Sequence, residues 1–149
     1  MVDITLKETV YRESTARGCI RLKRSTIERI RNKSIEKGDV TEVTKIVAIQ
    51  GAKKAWELLP LCHPIKITHV DVTVDVEDDR LCVEVTVKAH EKTGVEMEAL
   101  TAVALALLNV WDMVKKYEKD PRGQYPDTYI ENIRVLSKVK LVPKPSSRI

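Results

Sequence analysis

His69-Val70-Asp71-Val72-Thr73-Val74-Asp75-Val76 alternates valine with polar residues, and Leu81-Cys82-Val83-Glu84-Val85-Thr86-Val87-Lys88 repeats the alternation beyond the acidic turn at Asp78-Asp79. A period of two puts every apolar residue of such a run on one face of a pleated strand and the polar residues on the other. Two runs of this kind joined by a short turn predict an antiparallel hairpin, dry on one side and wet on the other. The dry side has to be covered, and the helical segments that flank the hairpin are the candidates to cover it.

Downstream, Lys92-Thr93-Gly94 breaks the strand pattern, and Val95 to Lys119 is an Ala- and Leu-rich helix. Residues 102–108 are apolar all round, which predicts burial on more than one side, against the sheet and against a second subunit. Asp120 to Asn132, with Pro121, Gly123 and Pro126, is predicted as a loop. Ile133 to Val142 alternates as a last strand, and residues 143–149 are predicted to fray. Upstream, Arg12 to Arg24 reads as a strand. Ser25-Thr26-Ile27-Glu28 has capping-box spacing and predicts a short helix to Asn32. Asp39 can cap a second helix, marked by Val43, Ile46, Val47, Gln50 and Lys54 at steps of three and four. Pro60 and Pro64 end that helix and bracket a stiff corner, Leu61-Cys62-His63. Helices on one face of an antiparallel sheet define an α+β fold.

At 149 residues the chain reads as one domain over 1–149. A net charge of +4 from 26 basic and 22 acidic side chains suits a phosphorylated small ligand and argues only weakly for nucleic acid. Trp56 and Trp111 fall on predicted helices and the hairpin contains no aromatic at all, whereas an RNA-binding sheet usually presents stacking aromatics on its strands. The longest unbroken apolar run, Ala102 to Leu108, is far short of the ~20 residues of a membrane span, and no signal pattern opens the chain. These features predict a soluble, cytoplasmic protein. Cys19, Cys62 and Cys82 are widely spaced, odd in number and lack a Cys-x-x-Cys pair, so they read as reduced thiols with no metal site. The abundance of Lys, Glu and Arg resembles that of heat-adapted proteins.

Four places could carry chemistry. His63, held between two prolines, could bind a ligand or move a proton, or merely cap a helix end. Glu96 and Glu98 open the long helix, where their charge also suits the dipole. Asp112 and Lys115 stand i, i+3, close enough for an acid/base couple or for an ordinary surface ion pair. Lys37 lies in a Lys-Gly-Asp turn. Glu98 and Asp112 project within about 40° of each other, but fourteen steps along a helix separate them by roughly 21 Å. One chain cannot bring both carboxylates to one reacting atom.

Four segments together carry a resemblance: Met1-Val2-Asp3-Ile4, Lys37-Gly38-Asp39-Val40, Leu58-Leu59-Pro60-Leu61-Cys62-His63-Pro64, and Lys92-Thr93-Gly94-Val95-Glu96-Met97-Glu98-Ala99-Leu100-Thr101-Ala102. With Asp112-Met113 and Lys115 in register, the chain resembles the cyclic pyranopterin monophosphate synthases, the molybdenum cofactor biosynthesis protein C family, from Met1 to about Lys138. The resemblance implies a ferredoxin-like fold, a homohexamer built as a trimer of dimers, and sites at the dimer interface. It implies conversion of 3′,8-cyclo-7,8-dihydroguanosine triphosphate to cyclic pyranopterin monophosphate with release of pyrophosphate. No cofactor is required on this account, and Mg²⁺ is left open as a companion of the triphosphate. By position, Asp112, Lys115 and Lys37 match catalytic residues. Leu61, Cys62, His63, Glu96, Met97 and Glu98 match substrate-contacting segments, and Arg12, Lys53 and Lys138 match basic positions for phosphate. Pro121 to Asn132 is longer than in the family's shorter members. The main rival from another class is a nucleic-acid-binding module, and a noncatalytic scaffold is a third reading.

Overall fold

A computed structural model describes residues 1–142; the predicted tail at 143–149 lies outside them. The chain runs β1 (Val10–Arg21), α1 (Arg24–Arg31), α2 (Val40–Leu58), β2 (Ile67–Val76), β3 (Arg80–Glu91), α3 (Glu96–Glu118) and β4 (Tyr129–Leu141). The four strands form one sheet in the order β2-β3-β1-β4, and every neighbouring pair is antiparallel. This is the split β-α-β pattern of a ferredoxin-like fold, with α1 added ahead of α2. The 69–88 hairpin is its β2–β3 pair, longer at both ends than the alternation alone indicated.

Val83, Val85 and Val87 of β3 are fully buried under α3, which turns Ala99, Ala102, Val103, Ala106, Leu107 and Val110 toward the core. Helix α2 packs beside α3 through small residues, Thr44, Ala48, Gly51, Ala52 and Ala55. At Gly51 an added Cβ would lie 3.2 Å from the Ala102 Cα, so the two backbones come close enough to exclude larger side chains. Ile46, Trp56 and Leu58 consequently point outward. The apolar periodicity that predicted α2 therefore marks its outer side as much as its inner one. Helix α3 is also long and apolar enough to cross a membrane, which the unbroken-run criterion did not register. Half of that window is buried against protein, which makes α3 a core helix here.

Two local expectations change and one holds. The capping box at Ser25 does not form: α1 starts at Arg24 after an extended Lys23, with no side-chain cap from its own residues. Glu118, from the far end of α3, supplies the missing acceptor. Its carboxylate takes the Lys23 N–H, at 3.3 and 3.2 Å from its two oxygens, and the Thr26 hydroxyl. The Asp39 cap does form, accepting the Glu42 N–H at 3.2 Å. Strand β4 begins at Tyr129, inside the predicted 120–132 loop, and Asn132 sits at φ 56° among register shifts against β1. Such irregularity breaks the alternation from which a strand is recognised.

The thiol reading is corrected as well. Cys19 and Cys82 stand directly opposite in the β1–β3 register, their Cα atoms 4.0 Å apart, and are joined by a disulfide; Cys62 is the free cysteine among the described residues. Register decides this pairing, and a slip of one residue would turn one cysteine to the other face.

Candidate functional site

Thr93 and Gly94 lead β3 into α3 and place Glu96 and Glu98 at the helix start, beside the corner that follows α2. Leu61, Cys62, His63, Glu96, Met97 and Glu98 line one cavity of about 340 Å³, together with Gly94, Ile65 and three residues of the N-terminal segment, Val2, Ile4 and Lys7. Six residues singled out from sequence, far apart in the chain, thus share one space. Gly94 matters to its shape, because a Cβ there would run into the Glu96 carboxylate.

Within the cavity Glu98 is 3% exposed. Burial, reinforced by the neighbouring Glu96 charge, raises its pKa from 4.5 to about 7 against the opposing pull of its own backbone amide. Burial and the Glu98 charge likewise raise the Cys62 thiol, which disfavours the thiolate. Glu96 has a different partner: Lys138 Nζ, arriving from β4, lies 2.8 Å from its buried Oε1 as an ion pair whose angles are not those of a hydrogen bond. His63 Nε2 donates to the Val2 carbonyl at 2.7 Å, and Lys92 Nζ donates to the Thr5 carbonyl at 2.9 Å. The N-terminal segment is therefore fastened across the cavity mouth by two side chains. Arg12, matched by position to a phosphate-binding site, is buried. Its guanidinium donates to the Glu91 and Lys92 carbonyls at 3.3 and 3.2 Å and braces the loop that precedes Glu96.

The second cluster forms at the other end of α3. Asp112 Oδ2 accepts from Lys37 Nζ at 2.8 Å, its Oδ1 lies 3.3 Å from Lys115 Nζ, and its backbone carbonyl also takes Lys37 at 3.1 Å. Hydrogen bonds from Lys37 and then Lys115 hold the Asp112 carboxyl below the usual carboxylate range, so it is a charged base flanked by two cations. These residues open onto two adjoining hollows. Glu36, Lys116 and Tyr117 line one. Leu108 and Trp111 line the other, with Tyr125, from the long segment before β4, packed edge-on against Trp111 at 5.2 Å. Lys53 joins neither cluster; it is exposed on α2.

Sequence reasoning did not single out Lys7, Tyr125, Tyr117 or Glu118. The first two join a site through segments with no periodic signal. Glu118 looks like one more surface acid at a helix end, yet it is fully buried. The nearest clue was two threonines, Thr26 and Thr128, whose hydroxyls turn out to serve it.

A two-layer α+β protein with a carboxylate-lined cavity at one end of its longest helix and an aspartate between two lysines at the other carries the kinds of group that bind small polar molecules and exchange protons with them. The family model described as the MoaC family matches residues 1–140, and the chain belongs to that family. It is 57% identical over 140 residues to a protein from Sulfurisphaera tokodaii named probable cyclic pyranopterin monophosphate synthase, covering 94% of this chain and 93% of that one. A protein of the same name from Sulfolobus acidocaldarius is 56% identical, covering 94% and 98%. One from Methanothermobacter thermautotrophicus, named probable cyclic pyranopterin monophosphate synthase accessory protein, is 55% identical, covering 95% and 89%.

Proposed function

We infer that this chain is a cyclic pyranopterin monophosphate synthase of molybdenum cofactor biosynthesis. Family membership over nearly the whole chain carries the inference, and the two clusters on α3 supply groups suited to the chemistry. Rebuilding a purine-derived ring into a pterin requires proton transfers at nitrogen and carbon, and a charged aspartate beside lysine can make them. Closing the cyclic phosphate with loss of pyrophosphate requires cations on the phosphate oxygens. Lys37 and Lys138 stand at the two ends of α3 to provide them, and Mg²⁺ can travel with the triphosphate. Glu98, near neutrality, can hold or give a proton to the amide and amine edge of the substrate.

The roughly 21 Å between Glu98 and Asp112 favours a site completed by a second copy, in a hexamer of three dimers. The outward apolar residues of α2, Ile46, Trp56 and Leu58, support burial between subunits. We place the enzyme in the cytoplasm. A disulfide there is met mainly in proteins of hyperthermophiles, which accords with the charged composition. The test is anaerobic incubation of the assembled protein with the cyclised GTP intermediate, following pyrophosphate and pterin. Turnover supports the reading, and its absence from a correctly assembled oligomer rejects it.

A further inference from the structure

Lys37 lies in an irregular turn, yet its ammonium meets both the carboxylate and the carbonyl of Asp112. The turn between α1 and α2 is too short to hold one geometry by packing of its own, since Ile35 is its one buried side chain between Asn32 and Gly38. What fixes it comes from the last turn of α3. The Glu36 N–H donates to the Tyr117 hydroxyl at 2.9 Å, and the Glu36 carboxylate pairs with Lys116. Arg29, in α1, lies 4.7 Å over the Tyr117 ring. Glu118, fully buried, caps the start of α1 through Lys23 and Thr26. Its other oxygen accepts the Thr128 hydroxyl at 2.7 Å, at the end of the segment that carries Tyr125 onto Trp111.

We propose that Tyr117 and Glu118 are positioning residues: together they lock α1 and the turn after it so that Lys37 meets Asp112, while Glu118 anchors the opposite flank through Thr128. The physical logic is that of a support shell. A lysine has three donors and a flexible stem, so a unique contact needs a backbone that cannot drift. The last turn of α3 supplies that backbone from the same rigid helix that bears Asp112 and Lys115. A cap from a distant buried carboxylate also explains why α1 needs none of its own.

The importance of Lys37 for turnover rests on the function inferred above, so the experiment reads geometry and catalysis separately. Tyr117→Phe deletes one hydroxyl, and Glu118→Gln removes the charge that accepts from three donors. The Asp112 carboxyl is titrated by ¹³C NMR in each variant, with Lys37→Met as the reference for complete loss of that contact; Lys115, Glu36 and Lys116 also face the group and remain in every variant. Both positioning variants are expected to move the Asp112 midpoint upward, part of the way to that of Lys37→Met. They are expected to lower kcat between about twofold and tenfold with KM kept. A folded Tyr117→Phe protein with an unmoved midpoint overturns the proposal, even if Glu118→Gln fails to fold. A moved midpoint with unchanged kcat upholds the positioning and counts instead against the catalytic reading of the cluster.

Discussion

The two ends of α3 carry the same functional group in opposite conditions. At its start Glu98 is buried beside another carboxylate, and its proton is held to about pH 7. Near its end Asp112 is exposed between two lysines and is kept charged well into acid. One helix, fourteen residues apart, thus offers a carboxyl that holds its proton to near neutrality and a carboxylate held in its charged form. Burial makes the first and cationic neighbours make the second, so the chemistry is decided by surroundings and not by residue type.

The contrast breaks most severely at Asp112. Asp112→Asn is expected to lower turnover by about 10²- to 10⁴-fold, measured as pyrophosphate release, while the melting temperature stays close to that of the unaltered protein because the side chain is exposed.

Next in size is a control on the face of the sheet away from both clusters. The Cys19–Cys82 disulfide spans 63 residues, and Cys19→Ser with Cys82→Ser is expected to cost about 3–4 kcal/mol in denaturant unfolding. The Asp112 and Glu98 titrations should not move. A shift in either would mean that the bond tunes the site.

Glu98 sharpens the comparison through pH. The folded protein keeps the Glu98 proton between about pH 4.5 and 7, where the unfolded chain has lost it. Its contribution to stability is therefore whole below pH 4.5 and falls by about 3 kcal/mol as pH rises through 7. Glu98→Gln should flatten that fall, seen as a smaller difference between urea unfolding at pH 5 and at pH 8. Asp112 acts in the reverse sense, since its contribution is present above the ordinary carboxyl range and fades as pH drops below it.

The smallest effect is expected at Gly94→Ala. The new methyl displaces the Glu96 carboxylate from Lys138, which should raise KM between about twofold and tenfold and leave kcat near its original value.

Much of this architecture could be read from the chain. Alternating valines in β2 and β3 and the long apolar run of α3 are periodic signals, and they placed both layers of the fold. The site was legible where residues lie close in sequence, as in Leu61-Cys62-His63 or Glu96-Met97-Glu98. What stayed hidden depends on partners far along the chain. Nothing local tells that Glu118 caps α1, that Arg12 braces a loop, or that Cys19 meets Cys82 across a strand pair. The inward side of α2 was hidden for another reason: close helix packing selects alanine and glycine, which leave almost no hydrophobic periodicity.

Helix α3 also acts as a ruler with a built-in phase. Each residue added between Glu98 and Asp112 would lengthen it by roughly 1.5 Å and turn one end about 100° against the other. A single insertion would swing Asp112 away from Lys37 although both residues remained. Because α3 lies across the sheet and against α2, the error could not be absorbed locally. Length changes should be far better tolerated in the Pro121–Asp127 segment, which touches the site only through Tyr125. The spacing inside α3 is thus as specific an instruction as any of its side chains.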